Sequence, residues 1–62
     1  MYFADDNLIL DLFQEFIKDR LIVDIEVEFE IFMRLVGYDI PIEQRKRLFK
    51  YDIPYKLEVN YV

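Results

Sequence analysis

A small, mainly helical domain of about three helices with one C-terminal β-strand is the fold class that this 62-residue sequence predicts. Apolar residues recur at three- and four-residue spacing near the N-terminus, helix-boundary residues bracket two further segments, and the final residues alternate apolar with polar. The length allows one small domain, residues 1–62, because a core of this size buries only about 60% of the surface that its unfolded chain exposes.

The first helix is predicted over 5–20. Leu8, Ile9, Leu12, Phe13, Phe16 and Ile17 fall on one helical face, Asp5, Asp6 or Asn7 can cap its start, and Lys18 and Arg20 suit its C-terminal dipole.

Residues 21–37 carry two patterns. Every odd position from Leu21 to Leu35 is apolar, and Asp24, Glu26, Glu28 and Glu30 stand between them, which is the period of a half-buried strand. However, Ile22, Ile25, Phe29, Phe32 and Val36 also follow helical spacing, Asp24 suits an N-cap, Glu26 and Glu28 a first turn, Arg34 a last turn and Gly37 the C′ position. A helix over 25–36 is favoured, and the α+β alternative makes residues 21–31 a strand.

A third helix is predicted over 41–50, with Pro41 at N1, Glu43 at N3 and bases in its last turns. The tetrapeptide Tyr38-Asp39-Ile40-Pro41 recurs as Tyr51-Asp52-Ile53-Pro54, and since proline biases its predecessor toward extended backbone, both copies read as element boundaries. The tail then reads as a strand over 55–61 that needs a partner, either residues 21–31 or a second subunit.

Composition narrows function by exclusion. The chain has no His, Cys, Ser, Thr or Trp, so it lacks hydroxyl and thiol nucleophiles other than tyrosine, a proton shuttle near neutral pH, and the usual transition-metal ligands. No enzyme activity, cofactor or metal is expected. An Ile-, Phe-, Tyr- and Lys-rich composition with one glycine fits an AT-rich genome such as that of a low-GC bacterium or its phage. The acidic N-terminus is unlike a signal peptide and no apolar run reaches membrane-spanning length, so a cytoplasmic protein is expected.

The net charge of −5 is unevenly spread: residues 1–31 carry −7 and residues 32–62 carry +2. Asp24, Glu26, Glu28 and Glu30 are the candidate acidic interaction surface. On a strand they would form one row at intervals of about 6.6 Å, able to imitate a charged backbone and occupy a basic groove. On a helix they become like-charge i,i+4 pairs, Asp24 with Glu28 and Glu26 with Glu30. Arg45, Lys46, Arg47 and Lys50 form a basic cluster that can either meet phosphate, in an arrangement loosely similar to a helix-turn-helix, or pair with the acidic half. The phenylalanines Phe3, Phe13, Phe16, Phe29, Phe32 and Phe49 read as core. Tyr51, Tyr55, Leu57, Val59 and Tyr61 read as an oligomer or partner contact, as do the end-placed Tyr2 and Tyr38.

The function expected is therefore a non-catalytic protein-protein interaction module, of the phage-inhibitor or antitoxin type, whose acidic surface blocks a basic nucleic-acid-binding or nuclease partner. A self-associating assembly protein is the alternative, as a homodimer or higher oligomer, and a small DNA-binding regulator is the weaker one.

Overall fold

The computed structural model describes residues 5–37 and 39–62, and among them the chain is mainly helical. Helix α1 spans Asp6–Ile17 and α2 spans Ile25–Val36. Helix α3, Ile42–Arg47, continues without a break through a π-helical stretch, Leu48–Asp52, into α4, Ile53–Lys56.

The helix ends follow from side-chain chemistry. Asp5 caps α1 by accepting from the Asn7 N–H (3.1 Å), and Asp24 caps α2 by accepting from the Glu26 N–H (3.0 Å), each satisfying a donor that the first turn leaves unpaired. Gly37 ends α2 in the left-handed region (φ 73°), where its N–H donates to the Met33 carbonyl (3.0 Å). Residues 21–31 are thus not a strand: apart from one bridge residue, Ile22, helix-boundary chemistry prevails over the period-2 pattern from Ile25 onward.

The third predicted helix is lengthened rather than stopped. Pro54 has no N–H, and an α-turn would drive its ring into the Lys50 carbonyl. The chain instead widens by one residue, and the Ile53 N–H donates to the Leu48 carbonyl in an i→i−5 bond. The second Tyr-Asp-Ile-Pro copy therefore lies inside helical structure, held there by Ile53, which is buried in the core. The predicted strand over 55–61 is absent as well. Residues 55 and 56 belong to α4, and the extended remainder makes a single parallel bridge, Ile22 with Tyr61, with no ladder among the described residues.

One core joins these elements. Ile9, Leu10, Phe13 and Ile17 of α1 meet Phe29, Phe32 and Met33 of α2, with Ile22, Leu48 and Ile53 closing the cluster. Phe13 meets Phe29 edge-on (centroids 5.1 Å apart, planes at 88°) and lies 5.2 Å from Phe32; Phe49 meets Phe29 edge-on at 5.1 Å. Such edge-to-face contacts set the partial positive ring edge against the negative face. Phe16 and Phe49 pack against the cluster half-buried, as predicted core residues. Phe3, Tyr2 and Tyr38 lie outside the described residues. No helix among those described is long and apolar enough to cross a membrane.

Candidate interaction surface

The two sequence patterns of residues 21–37 are reconciled by the helix itself. At about 100° per residue, positions two apart lie on nearly opposite sides of a helix and positions four apart share a side. A period-2 apolar run wound into α2 therefore divides in two. Ile25, Phe29 and Met33 face the core, while Val27, Ile31 and Leu35 face away and are 52%, 39% and 70% exposed. The acids divide in the same way, with Asp24 and Glu28 along one border of the outer apolar stripe and Glu26 and Glu30 along the other.

The four carboxylates consequently do not form one row. Glu28 is held by Arg20 (2.9 Å), whose guanidinium also lies over the Phe16 ring at 5.0 Å. Glu30 pairs with Arg45, which rests over the Phe29 ring at 5.5 Å. These two arginines offset the like-charge i,i+4 repulsion that the run builds into a helix. Asp24 serves as the N-cap, Glu26 is exposed, and neither has an ion pair among the described residues.

Half of the basic cluster is used inside the molecule. Arg45 is taken by Glu30. Arg47 reaches both carboxylate oxygens of Asp6 (2.9 and 2.8 Å), and Gln44 Nε2 donates to the same Asp6 (2.7 Å). These bonds hold the Asp6 carboxyl below the usual carboxylate range, chiefly through the Arg47 hydrogen bond and against the opposing effect of desolvation. The exposed Lys46 and Lys50 remain, with Lys50 5.2 Å from the Tyr51 ring centre.

The aromatic tail divides too. Tyr51, Tyr55 and Tyr61 are exposed, whereas Leu57 and Val59 turn inward against the core. The tail is held by polar side chains that no local pattern singles out. Gln14 Nε2 donates to the Glu58 carbonyl (2.9 Å) while its Oε1 accepts from the Glu58 N–H (2.8 Å), and Asn60 Nδ2 donates to the Lys18 carbonyl (3.2 Å) at the end of α1. Each lies more than forty residues from its partner, so no local pattern announces it. Beyond them the Ile22 N–H donates to the Asn60 carbonyl (2.8 Å) and the Val62 N–H to the Ile22 carbonyl (3.1 Å).

An open hollow of about 350 Å³ lies at the C-terminal end of α2, walled by Arg34, Asp39 and the Glu30–Arg45 pair. Among the described residues no three carboxylates converge as a metal site. What stands out is apolar exposure. Twelve large apolar or aromatic side chains are exposed among the described residues, against ten that are buried. The stripe Val27, Ile31, Leu35 was legible as every second member of the odd-position run, once that run is wound into a helix.

Comparison of the chain with protein-family models, with curated proteins and with solved structures finds no match.

Proposed function

We propose that this chain is a non-catalytic protein-protein interaction module that acts through the outer face of α2. The observation that carries this reading is that α2 is apolar on two sides and only one is covered by the core. A helix with apolar stripes on opposite sides can bury both only between two packing partners. The acidic borders of the stripe and the net charge of −5 favour a basic protein as partner, as an inhibitor of a nucleic-acid-binding or nucleic-acid-cutting protein would require. The place of action proposed is the cytoplasm of a bacterial or host cell.

A photo-cross-linking residue placed at Ile31 in the producing cell tests the reading, with the exposed position Glu43 as control. Discrete protein adducts from position 31 and none from position 43 are the expected result. No adduct from position 31 removes the reading.

Self-association is the second reading, favoured by the single Ile22–Tyr61 bridge, around which Leu21, Val23, Tyr61 and Val62 are all exposed. Replacing Tyr55 and Tyr61 together by Glu should then reduce the sedimenting mass to that of one chain, and a mass unaltered by the change counts against it. A DNA-binding role has the least support, because Arg45 and Arg47 are engaged by Glu30 and Asp6.

A further inference from the structure

Resting on the reading of α2 as the contact element, we infer that the face formed by Val27, Ile31 and Leu35 receives a cationic amphipathic helix from another protein, with an apolar ridge bordered by Lys or Arg. The face is straight and short. From Val27 to Leu35 it covers eight residue steps, about 12 Å of helix, which is the length of two turns and suits a ridge of side chains three and four residues apart.

Its borders select the charge of the occupant. Asp24 and Glu28 run along one side and Glu26, Glu30 and Arg34 along the other; with Arg20 on Glu28 and Arg45 on Glu30 the borders hold four carboxylates against three arginines, which leaves them net acidic within a chain of charge −5. Among the described residues Asp24 and Glu26 have no ion pair, at the N-terminal end, while Glu28 and Glu30 already balance Arg20 and Arg45 and can be shared with an incoming cation at the rim. The same balance disfavours a second copy, since each chain brings −5 and two would repel, and it disfavours nucleic acid and anionic membranes for the same reason. The apolar stripe supplies the adhesion and the carboxylate borders supply the choice of partner. A helix suits the stripe better than an extended segment does. The exposed ridge presents side chains at i, i+4 and i+8, which interdigitate with the three- and four-residue rows of another helix.

The test uses the purified chain and two synthetic amphipathic helical peptides with the same leucine stripe, one bordered by Lys and Arg and one by Glu. Titration followed by backbone amide NMR should show the cationic peptide shifting the signals of Val27, Ile31 and Leu35, with an affinity that falls about tenfold or more in Ile31→Glu and weakens from low to high salt. The Glu-bordered peptide should leave the spectrum unchanged. Leu35→Gln, at the most exposed position of the stripe, repeats the test with the least risk to folding, and circular dichroism checks that both variants keep their helix. Equal binding of the two peptides, binding of neither, or affinity unchanged in both variants overturns the inference. So does sedimentation showing that the chain alone dimerises and that Ile31→Glu makes it a monomer, which would give the face to a second copy. If photo-cross-links form at position 31 while the peptides show no charge preference, the partner's chemistry has been misread and the module itself stands. Absence of both removes the module as well.

Discussion

Gly37 is the residue at which backbone conformation alone decides the identity. Its φ of 73° lies where a Cβ is disfavoured, although a Cβ built there would meet no neighbour within 4 Å. The cost of Gly37→Ala is therefore conformational and should be about 1 kcal/mol, read as a lowered urea midpoint with an unchanged slope. Gln14 is different in kind, since its cost arises across the molecule. Gln14→Ala leaves both the Glu58 N–H and carbonyl without their side-chain partner, and should lower stability by about 1 kcal/mol. Faster hydrogen exchange at Glu58 and Val62, with α2 exchange unchanged, would show that the tail has been released and not the whole fold. Gly37 is legible in the sequence by its position after a helical pattern. Gln14 is not, because nothing near it in the chain indicates what it will meet.

At the scale of the element, α2 shows how terminal chemistry outweighs an internal pattern. Its alternating composition favours a strand, but Asp24 at one end and Gly37 at the other satisfy helical ends, and the aromatic residues Phe29 and Phe32 then reach Phe13 and Phe16 from one face. Asp24→Ala should cost about 1 kcal/mol by removing the N-cap, with helical ellipticity and thermal midpoint falling together. Asp24→Asn should retain most of that stability, because its side-chain oxygen still accepts from the Glu26 N–H. The segment around Pro54 teaches the converse. A proline signal that reads as a boundary is absorbed by one π turn when burial of Ile53 rewards continuing the helix.

For the whole molecule, α3 acts as a clasp: Arg45 reaches Glu30 on α2 while Arg47 and Gln44 reach Asp6 on α1. Because the Asp6 carboxyl is held below its ordinary value, the stabilisation is fully present above the unfolded-state pKa and is lost as pH falls through the lowered one. The wild-type urea midpoint should decline from about pH 5 to about pH 2 more than that of Asp6→Asn, the difference amounting to roughly 0.5–1 kcal/mol for a partly exposed pair. Parallel declines in the two proteins would show that the clasp is not worth its geometry.

Residue type, local spacing and the nearest turn of chain were enough to read the predominance of helix, the caps at Asp24 and Gly37, the packing of Phe13, Phe16, Phe29, Phe32 and Phe49, and the lack of Ser, Thr, Cys and His. The identity of the charged and aromatic residues was also legible, but not their arrangement. It took the packed fold to divide the acidic run between two borders of a helix, to engage Arg45 and Arg47 in internal ion pairs, and to turn Leu57 and Val59 inward while the tail makes a single bridge. A side chain's availability depends on what lies opposite it in space, and here the decisive partners stand up to 44 residues away along the chain.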